Sequence, residues 1–379
     1  MKIQKFSFSH HRENWHIDEV SFDDFNLLVG PSGVGKTRIL VALETIFSVA
    51  QGTRELDDFE WTINFFHLGK TYSWQLKSSL VREKGVWKKE SPQFEINEEK
   101  LVEIIHESEQ IEIFYLSSYN SKLGNQKLPK LRRTESMIIL LSEEDSIAPV
   151  QQAFKQFILN EVPKNEWVKS VFIPNSDDSE SDEFIPNISE FKNEFLGTPL
   201  AIKMFFIQNF YSDFFNEIEE NYKNIFPDVN QIRINPEKDS NNEIWLPFEI
   251  QDANSEEWIS QDRMSSGMFR TLMYIVEIMT TPEGSIILID EFENSLGINC
   301  MSEVTDIILD HAAGLQFIIT SHHPYIINNI PWQDWQIVSR KGNRIKTKKA
   351  TEISALNTAS SLDKFTQLIN VLDFEEMEA

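Results

Sequence analysis

Cysteine is almost absent. Cys300 is the only one among 379 residues, which excludes an intramolecular disulfide and any zinc site built on several thiolates. Long apolar runs are missing as well: no stretch approaches the ~20 residues of a membrane-spanning helix. The opening MKIQKFSFSHHRENW is too polar for a secretory leader, so the expected location is the cytoplasm. Positive charge is scarce, with 35 Lys and Arg against 60 Asp and Glu and a formal net charge of −25. Phosphate backbones repel so acidic a chain, and nonspecific nucleic-acid binding is not expected of it. Sustained heptads are lacking, which argues against a long coiled-coil arm. Core material is plentiful: 41% hydrophobic residues and 28 Phe suffice for a sizeable interior, and the length suggests two or three domains.

Against that background one octapeptide stands out. Gly30 to Thr37 reads GPSGVGKT and meets every fixed position of the phosphate-binding pattern G-x-x-x-x-G-K-[ST]. The apolar FNLLV of residues 25–29 predicts a buried strand before it, and residues 37–50 carry apolar side chains at helical spacing after it. The loop Gly30, Pro31, Ser32, Gly33, Val34, Gly35, Lys36 and Thr37 then lies between a strand and a helix N-terminus. Its glycines free the backbone to aim N–H groups at phosphate oxygens, in the favourable field of the helix dipole. Lys36 can reach the β and γ phosphates, and the Thr37 hydroxyl can ligate Mg²⁺. The bland alternative is a Gly-rich turn before a helix.

A second strand, SIILI at residues 285–289, delivers Asp290 and Glu291 at its C-terminal edge, where ligands of open α/β sheets collect. There Asp290 can face Mg²⁺ while Glu291 points at the water that attacks the γ-phosphate. An acidic strand end that only caps a loop is the plainer reading. Three further stretches complete the set: MSSGM at 264–268, FENSLG at 292–297, and the apolar FIIT at 317–320 running into Ser321-His322-His323-Pro324.

In this order the five elements resemble those of the ABC-type ATPases, of the kind found in RecF, chromosome-maintenance and overcoming-lysogenisation-defect proteins. The resemblance implies an α/β phosphate-loop NTPase head with a central, mostly parallel sheet, an antiparallel β layer and a helical insertion subdomain. It makes Ser265, Ser266 and Gly267 the signature motif, residues 292–297 the D-loop and His322 the switch histidine that senses the γ-phosphate. It implies ATP and Mg²⁺ as ligands and a head-to-tail homodimer in which the signature of one copy closes over the ATP of the other. The chain departs from the pattern at Ser266, where a Gly is usual, at Met268, where a Gln is usual, and at Phe292, where a Pro is usual. No Gln stands near Ser117 and Ser118 to mark the Mg-sensing loop. Read physically, the two serines precede an apolar helical stretch, residues 268–279, and form a second anion site at a helix N-terminus; a simple serine N-cap is the alternative. A neutral His322 can donate from one ring nitrogen and accept at the other, as a sensor between phosphate and Glu291 requires.

The two halves of the ATP site lie far apart in the chain, so the expected organisation is one head split by an insertion: residues 1–140, a helical subdomain at 141–240, and residues 241–379. Strands are expected at 3–8 and 15–22 as an edge sheet, with alternation from 59 to 96 broken by a turn at Lys84-Gly85 and a break at Ser91-Pro92, and a core strand at 111–116. Helical patterns cover 151–158 and 190–226, separated by the acidic NSDDSESDE of 175–183, which reads as a solvated loop. The aromatic run Phe205, Phe206, Phe210, Tyr211, Phe214 and Phe215 is either core or a partner-facing patch.

Two basic clusters, Lys127 to Arg133 and the hairpin Arg340 to Lys349, either balance the acidic chain or contact DNA. Only 56 residues follow His323, too few for a Toprim nuclease domain. A RecF-like recombination mediator is close in length, but the segment DEFENSLG looks closer to the stand-alone ATPases of prokaryotic antiphage defence, such as Septu or PARIS, which work with a separately encoded nuclease or toxin. The function expected from the resemblance is therefore an ATPase that dimerises around ATP and regulates such an effector. A RecF-like repair ATPase clamping DNA, and an ATP-bound module with little turnover, are the alternatives.

Overall fold

A computed structural model describes residues 1–82, 92–106, 109–159, 186–238 and 244–356, with 364, 366–368 and 370. Packing divides the chain into two units: Met1–Leu159 with Gly284–Glu291 and Leu315–Ala379, and Asn160–Glu283 with Phe292–Gly314.

The first unit is built on a 14-stranded sheet. Its functional end holds the parallel strands Phe157–Leu159, Ile286–Ile289, Gln316–Thr320, Phe25–Val29 and Trp335–Lys341, side by side in that order. IILI, QFIIT and FNLLV are buried at every position, as parallel strands covered on both faces require. Beyond Trp335–Lys341 the sheet continues through Arg344–Lys349, Trp15–Ser21 and Lys2–His10 into an antiparallel meander of Phe59–His67, Lys70–Arg82, Gln93–His106 and Glu109–Ser117. Here the pattern alternates: Phe59, Trp61, Ile63 and Phe65 turn one face inward. That face packs with the helix Lys36–Gln51 and with Phe154, whose ring lies edge-on to Phe47, Phe65 and Trp74 at 5.2, 5.1 and 5.1 Å between centroids.

Several sequence expectations change in this setting. The strands expected at 3–8 and 15–22 as an edge sheet form, but within the 14-stranded sheet: Lys2–His10 pairs with Phe59–His67, and Trp15–Ser21 pairs with Arg344–Lys349. The segment 111–116 belongs to the antiparallel meander, not to the parallel core. The helical reading of 151–158 holds only to Lys155, because Phe157–Leu159 pairs in parallel with Ile286–Ile289. A short apolar run satisfies both periods, and the backbone partner decides. The turn at Lys84-Gly85, Ser91 and the acidic stretch 175–183 lie outside the described residues.

The second unit packs the helices Ile188–Glu194, Leu200–Phe210, Ser212–Ile225, Ser266–Thr280 and Ile298–His311 with a three-stranded antiparallel sheet of Val229–Ile234, Phe248–Asp252 and Trp258–Ser260. Lys203, almost wholly buried, reaches Glu277 at 3.3 Å and ties Leu200–Phe210 to Ser266–Thr280. Of the aromatic run only Phe205 is buried; Phe206, which packs between Phe195 and Phe210, and Tyr211, Phe214 and Phe215 are half-buried, and Phe210 is exposed. Among the described residues no helix is long and apolar enough to cross a membrane.

One buried carboxyl anchors the first unit. Glu99 is fully buried and accepts hydrogen bonds from Trp74 Nε1 at 3.0 Å, Ser136 Oγ at 2.5 Å and Met137 N at 2.9 Å. Burial outweighs these three donors and pushes its pKa up from 4.5 to about 7. Below pH 4.5 both folded and unfolded chains hold the proton. As pH rises from 4.5 to about 7 the unfolded chain releases it and the folded chain keeps it, so this carboxyl lowers stability progressively across that window. Glu99→Gln has no proton to lose. In thermal melts, the melting temperature of the parent minus that of Glu99→Gln should therefore decline between these pH values and level off above them. A difference independent of pH would mean that the folded carboxyl ionises normally.

Candidate functional site

The phosphate loop leaves the C-terminal end of Phe25–Val29 and enters the helix Lys36–Gln51. Gly35 caps that helix with φ +109°, and a Cβ on it would stand 2.4 Å from Ile345 Cδ1; only glycine tolerates both the backbone angle and the contact. Gly30 is equally constrained, since a Cβ there would meet the Val338 carbonyl oxygen at 2.4 Å. Lys36 Nζ donates to the carbonyls of Gly30 at 2.7 Å and Pro31 at 3.0 Å, so the lysine spans its own loop and holds it curled. Val34 packs on the core, while Ser32, Gly33 and Thr37 are exposed at the mouth of a cavity of about 360 Å³.

Asp290 and Glu291 reach the same cavity from the end of Ile286–Ile289, two strands away. Thr320 organises them. As the last residue of the intervening strand, Thr320 accepts from the Glu291 amide at 2.8 Å and donates to Asp290 Oδ1 at 2.5 Å. Thr37 Oγ1 donates to the same Asp290 oxygen at 3.3 Å. Glu291 itself sits at φ +46°, a left-handed conformation that costs a non-glycine residue roughly 1–2 kcal/mol. The bond to Thr320 helps hold that geometry, which turns the chain sharply straight after the strand.

The separation of Thr37 Oγ1 and Asp290 Oδ1 suits Mg²⁺, whose oxygen ligands stand at about 2.0–2.1 Å in an octahedron. Among the described residues no cluster of three His, Cys, Asp or Glu that could hold a metal ion is found.

The two histidines have different places. His322 is exposed and lines the cavity. His323 caps the helix Pro324–Asn329, its Nδ1 accepting from the Tyr325 amide at 3.3 Å. Three further residues of the cavity or its frame were not singled out by sequence as site residues: Thr320, Arg38 and Arg340. For Thr320 the only sequence signal is its position at the end of an apolar strand. Arg340 carries none, because its neighbours in sequence form an ordinary basic hairpin.

Ser265, Ser266 and Gly267 lie in the second unit. Ser265 is extended and its hydroxyl accepts from the Met268 amide at 3.2 Å, an N-cap for Ser266–Thr280. A Cβ on Gly267 would stand 3.2 Å from the Gly297 nitrogen, so the start of this helix packs backbone to backbone on the end of the FENSLG segment. Phe292, where the related motif carries Pro, is fully buried with its ring 5.4 Å from that of Tyr274. Tyr274 accepts from buried Arg270 at 2.8 Å, and burial pushes its hydroxyl up to about 12.

The bonds around Thr320 yield a specific expectation. Thr320→Val keeps the shape of the side chain but strands the Glu291 amide and frees Asp290 to rotate, at a cost of about 1–3 kcal/mol in stability. The Mg²⁺ concentration needed for half-maximal nucleotide binding should rise severalfold, as read by titrating Mg²⁺ against a fixed concentration of ATP. An unchanged midpoint would mean that Thr320 does not position Asp290.

Comparison with known proteins shows the family. A family model described as "AAA domain, putative AbiEii toxin, Type IV TA system" matches residues 25–328, a span that contains all of these motifs. No curated protein matches the sequence. Solved structures with similar chains include an SMC head bound to the C-terminal winged-helix domain of ScpA, at 13% identity, covering 92% of this chain and 97% of that one with a TM-score of 0.45. The SMC head domain from Thermotoga maritima shares 12% identity over 92% and 99% of the two chains, with a TM-score of 0.41. An SMC head with an extended coiled coil, bound to the C-terminal domain of ScpA from Pyrococcus furiosus, shares 13% identity over 98% and 99%, with a TM-score of 0.42. With its phosphate loop, its acidic strand end and most of its length inside the matched span, the chain belongs to this AAA-domain family.

Proposed function

We propose that the chain binds and hydrolyses ATP with Mg²⁺ at a site shared between two copies, and that ATP-dependent closure regulates a separate nuclease or toxin effector in bacterial antiphage defence. The observation that carries the catalytic part is the convergence of Thr37, Asp290 and Glu291 on one cavity at the phosphate loop, with Thr320 bonded to the Asp290 carboxylate and to the Glu291 backbone amide. Lys36 exchanges the carbonyls of its own loop for β and γ phosphate oxygens. Thr37 and Asp290 hold Mg²⁺, which when bound neutralises charge on those phosphates. Glu291, one residue further along the chain, accepts the proton of the attacking water, and His322 reports on the γ-phosphate.

The regulatory part rests on different support. The family description, a putative AbiEii toxin of a type IV TA system, supports a toxin–antitoxin context for the chain. The net charge of −25 speaks against a chain that clamps DNA by itself. The basic clusters do not reverse this, because Arg132, Arg133, Arg344 and Lys349 are each paired with a carboxylate of the same chain. The helical stretch within 141–240 is the proposed insertion subdomain, and Ser265 to Gly267 act on the nucleotide of the other copy, where a helix N-terminus meets the γ-phosphate.

Glu291→Gln tests the catalytic assignment. The amide still hydrogen-bonds water but takes no proton, so ATP should bind normally while turnover falls ~10²–10⁴-fold and ATP-bound dimer accumulates on gel filtration. Turnover within a few-fold of the parent would remove Glu291 from the role of base.

Mixing two defective variants tests the shared site. Lys36→Ala disables the phosphate loop, and Ser265→Arg places bulk and charge at the signature, so each alone should be nearly inactive. A heterodimer of the two contains one composite site with both parts intact. It should recover part of the ATPase activity, or ATP-dependent association if the sites fire only together. Recovery of neither signal, with subunit exchange demonstrated, would refute action in trans.

A further inference from the structure

Arg340 belongs by sequence to a basic hairpin, but its side chain behaves unlike the others there. Arg344 donates to Asp18 Oδ1 from Nε and Nη2 at 3.0 and 2.6 Å, and Lys349 pairs with Asp23. Those cations are neutralised by carboxylates of their own chain. Arg340 has no carboxylate partner among the described residues. Its Nε donates to the Gly342 carbonyl at 2.8 Å, which orients the guanidinium, and the side chain lines the cavity at the phosphate loop.

We propose that Arg340 binds the phosphate tail of the nucleotide from within the same chain, and that it serves binding rather than the hydrolytic step. The inference rests on the nucleotide reading of this cavity and adds a second cation to it. Strand register supplies the placement. Trp335, Gln336 and Ile337 pair in parallel with Leu27, Leu28 and Val29, so continuing the register brings Val338 level with Gly30 and Arg340 level with Ser32. The close approach of Gly30 to the Val338 carbonyl shows that the two segments stay together past the end of the pairing.

The same topology separates Arg340 from the water-activating side. In the sheet, Trp335–Lys341 flanks the phosphate-loop strand on one side, while Gln316–Thr320 and Ile286–Ile289, which carry Thr320, Asp290 and Glu291, lie on the other. A guanidinium on this flank reaches phosphate oxygens without approaching the in-line water.

Charge count points the same way. The cavity's cations are Lys36, Arg38 and Arg340, and its anions are Asp290 and Glu291. Arg38 stacks on Trp15, with its guanidinium carbon 5.4 Å from the ring centroid. Arg340 adds a cation to that of Lys36 toward balancing the net negative charge of a magnesium-bound triphosphate. The two differ in form: Lys36 is a point charge inside the loop, whereas the planar fork of Arg340 bonds two oxygens at once.

The test is equilibrium binding of a fluorescent ATP analogue to the full chain with Mg²⁺, competed by ATP and separately by inorganic tripolyphosphate, alongside steady-state ATPase measurements. Arg340→Gln should weaken both competitors about 10- to 100-fold and flatten the salt dependence of binding, while kcat at saturating ATP stays within about threefold of the parent. Arg340→Lys should recover part of the affinity. Arg344→Ala, which loosens the same hairpin at its Asp18 pair, should bind as the parent does.

Unchanged affinity in Arg340→Gln overturns the inference. So does an equal loss in Arg344→Ala, which would assign the effect to hairpin loosening, or weakened ATP with tripolyphosphate untouched, which would assign it to the ribose or base. If the parent binds neither competitor, the nucleotide reading fails and the inference falls with it. Parent binding that is lost in Lys36→Ala but kept in Arg340→Gln overturns the role of Arg340 alone.

Discussion

The site depends on the parallel pairing of Phe25–Val29 with a strand on each side, Gln316–Thr320 and Trp335–Lys341. Backbone hydrogen bonds set the register, and register sets which strand ends lie level with the phosphate loop. Ile319 pairs with Leu27 and with Ile289, which brings Thr320 beside Asp290. A slip by one residue would turn Thr320 to the opposite face and leave both acids without their shared hydroxyl. The continuous apolar runs of these strands make the centre of the sheet insoluble on both faces, so the functional groups are confined to its C-terminal rim.

The loop glycines belong to the same constraint. Gly30 and Gly35 face Val338 and Ile345, residues of the strands Trp335–Lys341 and Arg344–Lys349. The phosphate loop is therefore shaped from outside as well as by its own sequence. Ile345 is part of the main hydrophobic core, so a side chain at Gly35 would disturb interior packing as well as the loop. In the second unit Gly267 has a comparable role, giving way to the backbone of Gly297, while Phe292 fills space against Tyr274.

Charge is arranged differently on the outside and at the site. Most cations of the basic hairpin and of the segment 127–133 that engage a partner engage carboxylates of the chain, at the surface, where such pairs contribute little to stability. They moderate the acidic surface locally. The cavity at the phosphate loop instead collects Lys36, Arg38 and Arg340 around two acids, a local reversal of sign in an acidic protein that favours an anionic ligand there over the rest of the surface.

The local elements of the site are written in contiguous residues. GPSGVGKT, the strand before it and the helix after it, the strand ending in Asp290 and Glu291, and the serine cap at Ser265 are each set by short-range chemistry: glycine at positive φ, apolar periodicity, a hydroxyl near free amides. Pairing across hundreds of residues leaves no such trace. The hairpin Arg340–Lys349 could be read as a hairpin, but nothing in its residues says that it borders the phosphate loop, pairs with Trp15–Ser21, or brings Arg340 to the cavity. Phe157–Leu159 became a strand because Ile286–Ile289 presented an open edge to it. Thr320 gained its place because two strand ends came level. By itself the sequence determined where the glycine-rich loop and the acidic strand end lie, since those depend on neighbours along the chain. Only the tertiary structure decided which of the scattered polar side chains join them, because strand order and register are properties of the whole sheet.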